Sequence, residues 1–316
     1  MTTLARVLHL DSLWNWRQRP WSKFSLSRFL HLRFNLFLLS AWPISCTKAY
    51  IWILTKLYFF CRPAEVAAIR RNIAKAMKDR QPSEINNIYK GVIKGIVRHY
   101  QEKTFNGFLA VPKFKKFLLS RVCFDGFERV LQDALKDGRG VIIATGHYGA
   151  IEFLPSYLVF RKYPTVTVAK FTTERLKKIM IPRANGQGLD VIVPGDVNNV
   201  LQEASKVLSQ NKIFVTQCDE TDAWHADRNH TMEFLGKKIH PDRMLSVLCR
   251  RTGAVLLLGL LHREGKNRYK LFLHRVPDEG DVPISVPTLK LLEEYIYRHP
   301  EQWYEWKKYE RFACTN

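Results

Sequence analysis

Acidic residues are scarce in this sequence relative to basic ones, with 29 Asp and Glu against 50 Lys and Arg and a formal net charge of +21. A surplus of this size favours negatively charged partners, such as nucleic acid, an anionic membrane leaflet or an acidic carrier or substrate. Zinc-finger spacings, RNP motifs and basic zippers are missing from the sequence as well, and these motifs mark nucleic-acid-binding proteins. We therefore expect an anionic membrane surface and an acidic carrier or substrate, and no nucleic-acid partner.

Cysteine is sparse, and no two of the six cysteines form a C-x-x-C pair. The signals for a disulfide framework or a zinc knuckle are thus absent from the sequence, which favours a reducing compartment. The cysteines are scattered over the whole chain, at Cys46, Cys61, Cys123, Cys218, Cys249 and Cys314.

A long apolar run is also lacking. The longest stretch without a charge, residues 34–47, has fourteen residues and contains Pro43, whereas a helix that spans a bilayer needs about 20. Before it, residues 1–35 carry six basic residues against Asp11, interleaved with tryptophan and phenylalanine, which is typical of a lipid headgroup region. No A-x-A-like cleavage site follows, so we do not predict a signal peptide. We predict a helical membrane-anchor segment over residues 1–62 that lies on the interface, with a full span or a buried core helix as alternatives.

Residues 63–316 are predicted to form one domain, with a helical lead-in at 63–120 and an α/β core at 121–316. In the core, short apolar runs alternate with amphipathic stretches, which predicts a layered α/β fold with a largely parallel sheet flanked by helices. The strand candidates are 121–124, 141–145, 165–169, 190–194, 213–217, 254–261 and 268–274, and the helical segments between them are 126–136, 150–161, 173–181, 196–210 and 241–252.

The strand candidate 141–145 leads directly into a histidine, His147, with Gly146 before it and Gly149 after it. Open α/β sheets bind their ligands at the carboxyl ends of the strands. Glu152 follows five residues on, so the two side chains can meet if His147 lies in the entering turn and Glu152 in the first helical turn. Glu152 would then fix the tautomer of the imidazole, and the other ring nitrogen would act as a general base. No serine or cysteine nucleophile accompanies this H-x4-E motif, which also arises by chance.

Two further groups of charges lie near the predicted carboxyl edge of the sheet. Lys170 and Arg183 belong to a basic stretch after the candidate at 165–169, and cations there could bind a phosphate, a carboxylate or an oxyanion. Asp219 belongs to an acidic cluster after the candidate at 213–217. It could orient Arg183 or hold a substrate hydroxyl. The alternatives are a solvated basic helix face for the cations and a turn or capping cluster for the acids.

The sequence H-x-D-x-x-H at His225, Asp227 and His230 suggests a metal site. Its spacing is short, the segment resembles a loop, and no fourth ligand follows at a familiar interval. We therefore predict no bound metal, and keep a metal-dependent hydrolase at these residues as a competing hypothesis. A second competitor is a non-enzymatic basic protein that binds membranes or nucleic acid, in which His147 would have no chemical role.

Several of these features occur in an order that resembles the late acyltransferases of lipid A biosynthesis, within the lysophospholipid acyltransferase superfamily. The resemblance covers roughly residues 25–312. Its elements, in order, are the Gly138-Arg139-Gly140 turn, the box at His147 and Glu152, Arg183 before a glycine, Asp219-Glu220 after a strand, Phe234-Leu235-Gly236, the segment 251–254, and Tyr297 to Tyr304 with its Pro-Glu-Gln-Trp core.

The resemblance implies an O-acyltransferase that moves a fatty acyl group from a thioester to a hydroxyl of a membrane lipid. The donor would be acyl carrier protein or coenzyme A, with no further cofactor and no metal, at the cytoplasmic face of the inner membrane. His147 would be the base, Glu152 its orienting carboxylate, and Arg183, oriented by Asp219, the group that stabilises the oxyanion. Lipid A precursors, other glycolipids, lysophospholipids and amino-acid lipids all stay open as acceptors.

The sequence departs from the family at the second acidic position, where Glu220 stands in place of the expected Gln. It departs again at residues 237–241, where small residues and a threonine are expected, and at residues 305–309, where a His-Arg-Arg run is expected. These departures concern the acceptor more than the chemistry.

Overall fold

The computed structural model describes residue 35 and residues 42–312, apart from residues 125, 172, 221–223 and 279. The chain divides into two compact units between Ala67 and Ala68. Most of the predicted anchor, residues 1–34 and 36–41, lies outside the described residues.

The first unit contains helix α1, Ile44–Phe60, and the start of the next helix. Pro43 immediately precedes α1. The helix exposes several large apolar side chains, namely Trp52, Ile53, Leu57 and Phe60. Within the part of the chain that the structure describes, no helix combines the length and apolar character that crossing a membrane requires.

The second unit is built around a seven-stranded sheet with the strand order β1-β9-β8-β2-β5-β3-β4. All of its neighbouring strands are parallel except β8 and β9, which are antiparallel. The predicted α/β fold with a largely parallel sheet is therefore confirmed. The strands of this sheet are β1 Val122–Cys123, β2 Val141–Thr145, β3 Thr165–Val168, β4 Asp190–Ile192, β5 Ile213–Gln217, β8 Val255–Arg263 and β9 Tyr269–Arg275.

Helices precede the sheet and connect its strands. After α1 they are α2 Pro63–Ala76, α3 Pro82–Phe108, α4 Val111–Arg121, α5 Glu128–Lys136, α6 Leu154–Phe160, α7 Glu174–Asn185, α8 Val200–Ser209, α9 Met244–Thr252 and α10 Ser285–Arg298. Among the described residues, short 3₁₀ helices also occur at Ile151–Phe153, Pro300–Gln302 and Glu305–Arg311. A small antiparallel hairpin of β6 Met232–Phe234 and β7 Lys237–Ile239 was not predicted, because runs of three residues give too little pattern to distinguish them from a loop.

The hydrophobic core holds one face of the sheet against helices α3 to α6. Alternate residues of the central strands point into it, as the two-residue period of a strand requires. They include Val141 and Ile143 of β2 and Ile213 and Val215 of β5. Both strands are buried along nearly their whole length, as is usual for parallel strands covered on both faces.

The register of β2 and β5 determines which residues leave the sheet together. Thr145 lies opposite Gln217, and each is the last residue of its strand. The residues two positions further on, His147 and Asp219, therefore emerge side by side at the carboxyl edge.

Candidate active site

A glycine-dependent turn holds His147 at the end of β2. Gly149 has a φ of +58°, and a Cβ there would overlap the carbonyl oxygen of Leu261, so both backbone conformation and space require glycine. Its N–H donates to the carbonyl of Gln302 at 2.9 Å, and the N–H of Ala150 donates to Leu261 at 2.8 Å. The turn is thus fixed between β8 and the 3₁₀ helix Pro300–Gln302.

Asp219 holds one side of the His147 imidazole. Its Oδ1 lies 2.8 Å from His147 Nδ1, while its Oδ2 accepts the backbone N–H of His147 and the indole N–H of Trp303, each at 2.8 Å. The Asp219 side chain is completely buried. Burial raises the pKa of this carboxyl, but the His147 charge and these hydrogen bonds outweigh it and lower the pKa below its usual value. An ionised Asp219 keeps the proton of a neutral imidazole on Nδ1, which leaves the Nε2 lone pair available.

The Nε2 atom of His147 faces a second carboxylate, and an aromatic ring also lies against the imidazole. Glu220 Oε2 lies 3.5 Å from Nε2, and the Tyr304 ring meets the imidazole edge to face at a centroid distance of 5.4 Å. Burial alone would lower the pKa of His147. The charge and hydrogen bond of Asp219, followed by the charges of Glu305 and Glu220, instead raise this pKa to about 9. These charges therefore favour the protonated imidazole in the resting enzyme.

Glu152 does not contact His147, contrary to the predicted hydrogen bond. It lies in the 3₁₀ helix Ile151–Phe153, which directs its carboxylate towards α3. There Glu152 Oε1 is 3.8 Å from His99 Nε2 and 3.6 Å from Lys103 Nζ. The predicted tautomer-fixing contact is instead made by Asp219, because parallel pairing brings a residue 72 positions away closer than one in the adjacent turn.

His99 connects the Glu152 side of the site to His147 through Tyr304. The His99 and Tyr304 rings are stacked at 4.0 Å with an interplanar angle of 22°. Burial lowers the pKa of His99 well below its usual value, and the nearby cations, with Lys103 and Arg263 foremost, lower it further. The surroundings therefore favour the neutral form of His99, whereas those of His147 favour the protonated form.

Arg183 does not pair with Asp219, so this predicted orientation is wrong. Its guanidinium donates to the backbone carbonyls of Asn106, at 2.9 Å, and Leu109. These carbonyls lie at the carboxyl end of α3, where the last turn of a helix leaves acceptors unsatisfied. Half-burial there lowers the pKa of Arg183 somewhat. Lys170, two residues after β3, is exposed. Substrate binding by Lys170 and Arg183 stays a prediction.

At the alternative metal site, two of the three candidate ligands pair with each other and the third is held through its backbone by another residue. His230 Nδ1 pairs with Asp227 Oδ2 at 3.0 Å, and the backbone N–H of His225 donates to Asp242. Among the residues that the structure describes, no three His, Cys, Asp or Glu side chains are grouped so that they could hold a metal ion.

No role was predicted from the sequence for Trp303, Tyr304, His99 or Lys103. Trp303 and Tyr304 did fall within the Pro-Glu-Gln-Trp segment of the resemblance. The structure shows why that segment matters to the site: Tyr148 and Trp303 form an antiparallel bridge, and the N–H of Tyr304 donates to the carbonyl of His147 at 3.1 Å. A segment more than 150 residues away in sequence from His147 therefore lines its turn.

Comparison with known proteins gives one family. The sequence matches the family model described as "Bacterial lipid A biosynthesis acyltransferase" over residues 29–308. No curated protein matches the chain significantly.

Proposed function

The chain belongs to the bacterial lipid A biosynthesis acyltransferase family, and we propose that it transfers a fatty acyl group from a thioester to a hydroxyl of a membrane lipid. The donor thioester would be carried by acyl carrier protein or coenzyme A. The observation that carries this proposal is the buried Asp219–His147 pair at the carboxyl edge of the sheet, with Nδ1 held at 2.8 Å and Nε2 on the side away from Asp219.

In the proposed reaction, His147 Nε2 takes the proton of the acceptor hydroxyl as that oxygen attacks the thioester carbonyl. A C–O bond forms, the tetrahedral intermediate collapses, and the C–S bond breaks. The departing thiolate then takes the proton from the imidazolium, so His147 is regenerated. Base catalysis of this kind contributes about 10²–10⁴-fold. Asp219 holds the reactive tautomer and stabilises the imidazolium, the role that the sequence had assigned to Glu152.

Other charged groups have proposed supporting roles. Glu152, beside His99 and Lys103, orders the α3 side of the site. Arg183 uses two N–H groups on backbone carbonyls and has others left of its five donors. With Lys170 it would bind a substrate phosphate or carboxylate. Backbone N–H groups near the 3₁₀ helix Ile151–Phe153 are candidates for the oxyanion.

We also propose that the enzyme works at the cytoplasmic face of the inner membrane. The net charge of +21 suits both an anionic leaflet and an acidic carrier. In α1, Trp52, Ile53, Leu57 and Phe60 are each more than half exposed, and apolar side chains of this kind favour insertion at a membrane interface. No nucleic acid, cofactor or metal has a part in this proposal.

Lipid mass spectrometry tests the proposed function. Membranes from cells that express the wild type are compared with membranes from cells that express His147→Ala at matched protein levels, and with the empty vector. We expect a lipid heavier by one fatty acyl group with the wild type alone, because only that protein retains the base. The mass then distinguishes a lipid A precursor from a lysophospholipid or an amino-acid lipid.

An expression host that lacks the acceptor lipid would give no product even with an active enzyme. A deletion strain of the native organism controls for this case. If its lipids equal those of the parent strain, the proposed function is refuted. If the wild-type product still forms with His147→Ala, the proposal that the protein is an acyltransferase stands, but His147 is not its base.

A further inference from the structure

A row of alternating charges crosses the candidate site and ends at a residue that the proposed reaction does not use. From Asp219 it passes to His147, and then to Glu220, whose Oε2 lies 3.5 Å from His147 Nε2. Glu220 Oε1 lies 3.5 Å from Lys308 Nζ, and Lys308 Nζ lies 3.1 Å from Glu305 Oε2. Both ring nitrogens of His147 thus face a carboxylate.

The two carboxylates differ in how firmly they are held. Asp219 is fully buried and bonded to His147 and Trp303 at 2.8 Å. The Glu220 side chain is 29% exposed, and its contacts to His147 and Lys308 are longer than those of a direct hydrogen bond. Of the two, Glu220 can therefore leave the imidazole with little loss of structure.

The acceptor hydroxyl needs the place that Glu220 occupies. A general base must lie within about 2.6–3.2 Å of the proton that it removes, and Asp219 already occupies Nδ1. With Glu220 Oε2 3.5 Å from Nε2, the face of the imidazole that must accept the proton is covered. Lys308, on the far side of Glu220, provides a cation towards which the carboxylate can turn.

We propose that Glu220 is a positioning residue that pairs with the Nε2 face of His147 in the resting enzyme and sets the pH range in which the imidazole accepts a proton. This inference rests on the proposed role of His147 as the base. Opening the pair lets the imidazole proton pass to solvent and admits the acceptor hydroxyl. Lys308 weakens the pair, because its charge competes with His147 for the same carboxylate.

The charged groups around His147 determine in which direction each substitution should shift its pKa. An opposite charge at this distance favours the protonated imidazole, and a like charge disfavours it. Glu220→Gln should therefore lower the pKa of His147, whereas Lys308→Met should raise it. The described groups that act on or face the imidazole are Asp219, Glu220, Glu305, Tyr304 and His99, and Lys308 faces Glu220 and Glu305.

The test follows the titration of the His147 imidazole by NMR in the full chain labelled at histidine, with His147→Ala to assign the signal. Glu220→Gln is expected to move the titration to lower pH by about one unit, and Lys308→Met to move it to higher pH. Glu203→Gln is the matched control, since Glu203 pairs with Lys206 on the surface of α8. Thermal unfolding confirms that each variant is folded.

Activity provides the second measurement. Thiol release is followed from palmitoyl thioesters of coenzyme A and of acyl carrier protein, with vesicles of host lipid. Because kcat/KM rises with pH as His147 loses its proton, its midpoint should move with the NMR titration. A Glu220→Gln titration that stays at the wild-type pH, or moves in the same direction as Lys308→Met, overturns the inference. If the His147 titration moves in Glu220→Gln but the pH midpoint of kcat/KM does not, His147 is not the base and the proposed mechanism is refuted. The pairing of Glu220 with His147 would still stand.

Discussion

The Asp219→Asn variant is expected to lose about 10²–10⁴-fold in kcat, a loss comparable to that of His147→Ala, because the two residues act as one unit. The reason is the tautomer of the imidazole. Oδ2 of Asp219 accepts two N–H groups, from the His147 backbone and from Trp303. An asparagine must therefore place its amide oxygen there, and its NH₂ group then faces His147 Nδ1.

A donor at that position reverses the proton arrangement on the ring. Nδ1 would have to accept, so the proton of the neutral imidazole would move to Nε2, and no lone pair would face the acceptor hydroxyl. The pKa of His147 would fall at the same time, since Asp219 is the main group that raises it. An effect of pKa alone would increase the neutral fraction at pH 7 and increase activity. The change of tautomer predicts a loss of activity instead.

Steady-state kinetics of the purified variants measure this loss, with protein folding checked by circular dichroism. Asp227→Asn is the matched control, because Asp227 also pairs with a histidine, His230, at 3.0 Å, but belongs to the competing metal hypothesis. It is expected to keep wild-type activity. Wild-type activity in Asp219→Asn would contradict the proposed pair, and a loss confined to Asp227→Asn would favour the competing hydrolase.

Much of the fold could be predicted because its central strands have a simple pattern. The candidates 141–145 and 213–217 match β2 and β5 to the residue, since both are uncharged runs bounded by turn residues. The alternation of strands with amphipathic segments was sufficient to indicate a parallel sheet. The hairpin of β6 and β7 has only three residues in each strand, and its lysines, Lys237 and Lys238, hide the apolar signal.

The site was less predictable because sequence alone does not give strand order. Placing Asp219 at the same edge as His147 required only that both strands be parallel. Pairing them required that β5 be the neighbour of β2, with Thr145 opposite Gln217. Without that register, Glu152 was the nearest carboxylate in sequence. The 3₁₀ helix Ile151–Phe153 then directs Glu152 to α3, a backbone detail that the helical pattern of residues 150–161 does not contain.

The Glu102→Gln variant is expected to lose about 3–5 kcal/mol of its free energy of unfolding, because it leaves a buried charge without its partner. Arg263 Nε and Nη2 donate to Glu102 Oε1 and Oε2 at 2.8 and 2.7 Å. Their side chains are 2% and 4% exposed, respectively. A glutamine can accept one of these bonds but cannot neutralise the guanidinium.

Urea unfolding measures this loss against two references. Glu128→Gln breaks a partly exposed pair with Arg161 and is expected to cost less than about 1 kcal/mol, since solvent-exposed pairs contribute little. The double variant Glu102→Leu with Arg263→Met removes both charges and should recover most of the stability. A Glu102→Gln variant as stable as Glu128→Gln would show that water or another group solvates Arg263.

The Glu102→Gln substitution should also loosen the turn that carries His147. Gln302 joins the two sites: its side-chain Nε2 donates to the carbonyl of Arg263 at 3.0 Å, and its own carbonyl accepts the N–H of Gly149 at 2.9 Å. Hydrogen exchange of the Gly149 amide should therefore be faster in Glu102→Gln under native conditions, while amides of β5 should change only as far as global stability changes. Equal acceleration at both places would mean that the ion pair supports the whole fold and has no particular connection to His147.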